Sequence, residues 1–269
     1  MSVRDFVKNS KLVTPYIQLM KVFSKKVTSQ SNEAEIVQRL VDRHPIHKTF
    51  VEFGFSGWEF NCCELATHGW NGLLIDGDRY NVNVARQILP SSIKAKQLWL
   101  DIHTLDFIIE YQKNLDLGIL SIDVDGNDYW FLKKLIALSP SLIIIEFNPF
   151  FGHRPISIPY DSKFDRKLAH PEMTYYGASL SALSRLASLN GYSLIDISSN
   201  SVNAFFIKNE ILSPQDIVLD PSMVIEEILV RGRHGLCMQS EWEKISNLKY
   251  IDVTLSNDSI ESIGSSIRF

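Results

Sequence analysis

From residue 48 onward, short apolar runs alternate with stretches whose apolar positions fall at helical spacing. The runs TFVEF, GLLID, IKAKQLWL, LGILSIDV, SLIIIEFN, YSLIDI and NAFFIK are strand candidates. Most of them lack the strict apolar–polar alternation of a half-exposed strand and so read as buried on both faces. The helices between them are expected to begin near Trp58, Arg79, Thr104, Asn127 and Ala178. Buried strands separated by helices imply an α/β architecture with a doubly wound, mostly parallel sheet. The last two runs are close enough in the chain to pair antiparallel.

Ahead of this core, residues 1–47 read as a helical cap. Thr14-Pro15 is a cap followed by a proline at the first helical position, leading into a stripe of Tyr16, Leu19, Met20 and Phe23. Ser31-Asn32 opens a second helix, with Ile36, Val37, Leu40 and Val41 on one face and Pro45 beyond its end. Lys21, Lys25 and Lys26 make a basic face, read either as solvated or as touching an acidic membrane surface. The core is assigned to residues 48–210, with 149–176 as an inserted substrate loop and 211–269 as a C-terminal α/β appendage packed on it.

The chemistry begins with the first two strands. Glu52 closes one and Asp76 closes the other, and between them lies the turn Gly54-Phe55-Ser56-Gly57, rich in residues that let a ligand approach the backbone. A nucleoside lying across the carboxyl ends of a parallel sheet needs this arrangement, with the second acid accepting hydrogen bonds from the ribose hydroxyls. A dinucleotide is excluded, because Ser56 and Glu59 stand where the pyrophosphate fingerprint requires glycines. Glu59, at the expected helix start, would also repel a pyrophosphate. A P-loop motif is absent from the sequence. S-adenosylmethionine, with an amino group, a sulfonium and a ribose but no phosphate, fits best. In that reading Glu52, Gly54, Ser56 and Gly57 hold the methionine part, Asp76 the ribose and Asp101 the adenine amino group, with Asp123 also on the cofactor.

Composition narrows the class without changing this picture. The 269 residues, 45% hydrophobic and 22% charged, suit a soluble globular chain, and the net charge of -4 argues against nucleic acid as a partner. Cys62 and Cys63 are adjacent and only one further cysteine exists, so a disulfide framework is excluded and a reducing, cytoplasmic setting is expected. The vicinal pair reads as small buried hydrophobes rather than metal ligands. No long apolar run opens the chain, so neither a signal peptide nor an integral membrane span is expected.

Further acids follow at later strand ends. Asp123 and Asp125 stand two apart, and Glu146 and Asn148 follow the next strand. Neighbouring carboxylates must be paired, protonated or metal-bound. Asp123, Glu146 and Asn148 offer an all-oxygen set for Mg²⁺ or Mn²⁺. The competing reading is that Asp125-Gly126-Asn127-Asp128 only turns the chain and caps a helix starting at Tyr129. A calcium-hand loop is excluded, because Lys134 occupies the position of its final glutamate. The segment after Asn148 is long enough to be a binding loop or lid and carries His153, Arg154, Lys163, Arg166, Lys167 and His170, which could clamp phosphates of a nucleotide-sugar, interleaved with Asp161 and Asp165. Asp125, His153 and His170 are the candidate bases.

The blocks VEFGFSGWEFN, GWNGLLIDGD, LSIDVDGNDYW, PSLIIIEFNPFFG and YYGASLSALSRLASLNGYSLI resemble the FkbM-like class I S-adenosylmethionine-dependent methyltransferases, in the branch associated with bacterial surface polysaccharides. The likeness covers about residues 48–210, and the IDVDG and YYGAS blocks are its most specific parts. It implies a Rossmann-like methyltransferase sheet closed by an antiparallel strand, and methyl transfer mainly to oxygen, often on sugars. Asp123, Glu146 and Asn148 are also similar in placement to the metal ligands of catechol-type O-methyltransferases. There Phe147 breaks the spacing, and Gly126 stands where that group has its lysine base.

The sequence therefore predicts an S-adenosylmethionine-dependent O-methyltransferase acting on a hydroxyl of a sugar nucleotide or saccharide for surface glycan, with Mg²⁺ or Mn²⁺ as an optional ion. N-methylation, methylation of a phosphate or carboxylate oxygen, and a non-catalytic nucleoside-binding scaffold are the alternatives.

Overall fold

A computed structural model describes residues 27–113, 115–232 and 236–255. The helix expected from Thr14, with its lysine face, lies outside them. Among the described residues no helix is long and apolar enough to cross a membrane.

The chain enters through helix α1 (Glu33–Arg43) and strand β1 (Thr49–Phe53). It continues through α2 (Cys63–Thr67), β2 (Asn71–Asp76), α3 (Arg79–Ile88), β3 (Ile93–Gln97), α4 (Leu105–Gln112) and β4 (Ile119–Ile122). Helix α5 (Asp128–Leu135) and β5 (Leu142–Glu146) follow. The expected inserted loop carries a two-residue strand, β6 (Ile156–Ser157), and a single helical turn, α6 (Arg166–Ala169). Then come α7 (Leu180–Leu189), β7 (Tyr192–Ile197), β8 (Asn203–Lys208), α8 (Pro221–Arg231), α9 (Met238–Ile245) and β9 (Ile251–Asp252).

Seven strands form one sheet in the order β3-β2-β1-β4-β5-β8-β7. All neighbours run parallel as far as β5, and β8 is antiparallel to both β5 and β7. Strand alternation divides the core between two faces. Val51, Phe53, Leu120, Ile122, Ile143 and Ile145 meet α4, α5 and α7 on one side. Phe50, Leu74, Ile119, Leu142 and Ile144 meet α1, α2 and α3 on the other, where Cys62 and Cys63 are buried as free thiols. Side-chain caps fix several helix starts: Asp78 for α3, Ser179 for α7, and Asp220 with Pro221 for α8. The chain order reverses between β1 and β4, and a ligand crevice is expected outside the carboxyl ends at such a switch point.

Three expected boundaries shift. No helix begins at Trp58, because Ser56 and Glu59 exchange backbone hydrogen bonds of 3.0 and 3.1 Å in a tight turn. Segment 28 also bridges to this turn, and α2 starts only at Cys63. Strand β3 stops at Gln97, paired with the last residue of β2, rather than running on to Leu100. Strand β4 stops at Ile122, level with Phe53, after which Asp125 turns to φ 58°. Asp123 and Asp125 therefore share a turn rather than a strand face.

Gly54 is what lets the two sides of the switch point meet. Its φ is +69°, and a Cβ built there would lie 1.4 Å from the Asp123 carbonyl oxygen. Gly54→Ala therefore combines left-handed strain with overpacking, together about 2–5 kcal/mol. Thermal denaturation is expected to show a midpoint lower by about 5–15 °C. An unchanged midpoint would contradict this contact.

Candidate active site

The acids at the carboxyl edge divide into two groups. Glu52, at the end of β1, faces inward beneath α2 and is 2% exposed. Its two oxygens accept the backbone N–H groups of Asn61 at 2.6 Å and Cys62 at 3.0 Å. A protein carboxylate thus already occupies the entry to α2, where a pyrophosphate would otherwise sit. Burial pushes the Glu52 carboxyl up to about 7 against the opposing effect of those N–H groups. Glu52, expected at the methionine part, is held here by the two backbone N–H groups at the entry to α2. Gly54 is likewise taken up by the Asp123 backbone. Gly57 lies against Val84 of α3, where a Cβ would come within 2.6 Å, and its N–H reaches Asn81 Oδ1 at 3.3 Å. Ser56 belongs to the Ser56–Glu59 turn.

Asp76 ends β2 half-buried at the crevice, where Oδ1 accepts Asp78 N–H at 2.6 Å and Asn81 Nδ2 at 3.4 Å. Asp101 Oδ1 accepts the N–H groups of His103 and Thr104, both at 2.8 Å, and so shapes the entry to α4. Beside Asp76 stands a residue that the sequence reading passed over. Trp99 is 64% exposed, packs on Gly77, and donates from Nε1 to the Ser162 carbonyl at 3.1 Å. An aromatic residue closing an apolar strand among acids was the available signal.

At the end of β4, the fully buried Asp128 makes the turn, accepting Val124 N–H and Gly126 N–H at 2.9 Å each. Burial raises its carboxyl to about 6. Asp123, Asp125 and Glu146 each bring a carboxylate oxygen within 4.8 Å of the others. Arg166 of α6 enters this group, donating from Nη1 to Asp125 at 2.5 Å and to Glu146 at 3.4 Å, while its guanidinium carbon sits 3.5 Å from the centre of the Tyr176 ring. Burial, then the neighbouring acids, hold the Asp123 and Glu146 carboxyls well above the usual carboxylate range, with Arg166 opposing. Glu146 Oε2 is buried with no hydrogen-bond partner.

The proposed metal set requires correction. The Asn148 side chain is turned to the neighbouring backbone: Oδ1 accepts Phe150 N–H at 3.0 Å, and Nδ2 donates to the carbonyls of Thr174 and Tyr176 at 2.8 and 2.9 Å. The expected set of Asp123, Glu146 and Asn148 is therefore not the one that converges: the carboxylates that meet are Asp123, Asp125 and Glu146, with the Arg166 guanidinium among them.

The inserted loop is tied down over these groups. Asn127 and Asp161 exchange hydrogen bonds of 2.8 and 3.2 Å, and Phe164 packs on Gly126. His170 hydrogen-bonds Thr174 at 3.1 Å, and His153 pairs with Glu226 of α8 at 2.7 Å. Among the described residues, neither histidine bonds to the acid group. Of the candidate bases, only Asp125 belongs to it.

Comparison with solved structures finds methyltransferases. The bifunctional kinase–methyltransferase WbdD matches at 14% identity over 66% of this chain and 38% of that one, with a TM-score of 0.36. Magnesium protoporphyrin IX methyltransferase from Synechocystis PCC 6803, with bound SAH, matches at 14% identity over 77% and 97%, with a TM-score of 0.42. An O-methyltransferase from Bacillus cereus in complex with SAH gives 14%, 76%, 94% and 0.43 in the same terms. The chain spans 38–43% of the length of WbdD in the structures matched. No family model and no curated protein matches the chain. The fold class rests on the strand order and takes nothing from these distant likenesses.

Because the folded state raises the Glu52 carboxyl from 4.5 to about 7, it binds that proton more tightly than the unfolded chain does. The stability from this group is full below about pH 4.5 and is lost as pH rises toward 7. Glu52→Gln abolishes this slope and turns a side-chain NH₂ toward a buried N–H, costing about 1–3 kcal/mol at the acid end. Denaturant unfolding of both proteins across this range should show the wild-type advantage shrinking as pH rises. A constant difference would contradict the assignment.

Proposed function

We propose that this chain is an S-adenosylmethionine-dependent methyltransferase that methylates a hydroxyl oxygen of a saccharide or sugar nucleotide. The observation that carries the reading is the strand order, with β8 antiparallel between β5 and β7. That is the closed sheet implied by the sequence resemblance, and its switch point is lined by Asp76 and Asp123. When bound, S-adenosylmethionine supplies a methyl group activated by its sulfonium.

The residues at the crevice suit the cofactor's nucleoside. Asp76 offers a carboxylate to the ribose hydroxyls, and the exposed Trp99 ring stands beside it as a face for the adenine. Across the reversal, Asp123, Asp125 and Glu146 line the side from which an acceptor hydroxyl enters. A hydroxyl losing its proton during transfer needs a receiver, and the bare Glu146 oxygen in this acid group is the one the geometry offers. Arg166 sets the electrostatics of the group and must shift if the hydroxyl is to reach Glu146. Holding acceptor and donor in line supplies the larger part of the rate. The polar acceptor is inferred from the acid-lined cleft and the FkbM-like resemblance.

Calorimetry with S-adenosylmethionine and with its demethylated product should show binding to the wild type. Asp76→Ala should weaken it about 10- to 100-fold through loss of charge-assisted hydrogen bonds. No binding to the wild type would sink the functional reading, and unchanged affinity in the variant would sink the nucleoside placement.

Glu146→Gln should lower turnover on a responsive saccharide about 10²-fold or more, with cofactor affinity unchanged. A panel of nucleotide-sugars assayed by methyl release provides that substrate. Full turnover in the variant would remove Glu146 from the role of proton receiver.

A further inference from the structure

Beyond the end of β5, the turn 149–154 and helices α8 and α9 border an open cavity of about 400 Å³ that the proposed transfer chemistry does not use. Its apolar lining comes from Phe150, Leu229 and Met238. Its polar side carries Arg154, with His153 and Gln239 beside it.

Arg154 is the informative residue. It is half-buried, its guanidinium carbon lies 4.0 Å from the centre of the Trp242 ring, and Nη1 donates to the Phe151 carbonyl at 3.2 Å. Among the described residues, no carboxylate lies within ion-pair distance of it. The nearby Glu226 is engaged by His153 at 2.7 Å. Arg166, by contrast, is matched with acids. A stacked guanidinium with no acid partner, facing a concavity of this size, presents its donor fork to an anion from outside.

The position of the cavity gives the anion a context. The turn that lines it continues directly from Asn148, so it flanks the acceptor side of the acid group. Trp242 packs on Phe151 and Tyr250, with ring centres 6.1 and 5.3 Å apart. Tyr250 in turn packs on Tyr175, and Tyr175 on Phe164, at 5.4 and 6.3 Å. The cavity wall is thus continuous with the loop that carries Arg166.

We propose that this cavity binds the oxyanion of a sugar-sized molecule, a phosphate or a carboxylate on Arg154, with the body of the molecule against Leu229 and Met238. Identifying that molecule as the methyl acceptor rests on the functional reading above. The binding itself does not.

Calorimetry on the full chain, without S-adenosylmethionine, separates the two. The probes are glucose 1-phosphate, glucuronate and glucose. At least one anion should bind at least tenfold more tightly than glucose and weaken as salt rises, and the stronger anion identifies the group recognised. Arg154→Gln should lose tenfold or more of that affinity. Leu229→Trp, which fills the cavity without touching Arg154, should lose it as well, and thermal midpoints of both variants establish that they fold. No binding by either anion, equal binding of glucose, or undiminished binding in both folded variants would overturn the proposal. Intact anion binding, with no binding of S-adenosylmethionine in a separate titration, would leave this site standing and overturn the functional reading instead.

Discussion

Carboxylates crowded into a partly buried site cannot all remain ionised unless a cation joins them or a proton is shared. Asp123, Asp125 and Glu146 meet this condition at the carboxyl edge of β4 and β5. The cation is Arg166, which arrives from a loop inserted after β5. The loop must therefore descend over the sheet edge, and much of the local architecture serves that descent. The Asn127–Asp161 pair holds one side of it. The Asn148 amide holds the other through Thr174 and Tyr176, and Tyr176 offers its ring to the guanidinium that the acids attract. Breaking one of these ties leaves a buried group without its partner, so the ties reinforce one another.

The same constraint separates acids that look alike in the sequence. Glu52, Asp101 and Asp128 each end or follow a strand, yet each spends its oxygens on backbone N–H groups and builds a turn or helix entry. Asp76, Asp125 and Glu146 keep their carboxylates at the crevice or among one another. Distance along the chain does not decide between them. Glu52 takes N–H donors nine and ten residues on, at the entry to α2, whereas Asp76, just before α3, takes the Asp78 N–H and the Asn81 amide while staying at the crevice.

The sheet was largely legible because buried strands announce themselves by unbroken apolar runs, and β4 and β5 are buried along their whole length. The α2 start was not legible. Trp58-Glu59-Phe60 has helical character, but what fixes the boundary is a carboxylate from β1, a contact that no local pattern encodes. The site was legible as a collection of acids and not as an arrangement. Asn148 was expected to face an ion and instead secures the loop. Arg166 appeared as one basic residue among several, because only the fold reveals which of them lies within reach of Asp125 and Glu146. Trp99 was missed because an aromatic residue after an apolar run reads as core until its exposure is known.

On the proposed function, opening the acid group to an acceptor requires Arg166 to leave at least one partner, and the loop that carries Arg166 is tied to the C-terminal segment. On the same loop, Phe164 packs on Tyr175, which packs on Tyr250 of the C-terminal segment and donates to the Lys249 carbonyl at 2.5 Å. Strand β9 pairs with β6 of the loop as well. The loop that carries Arg166 is thereby joined, ring by ring, to Trp242, on which Arg154 stacks.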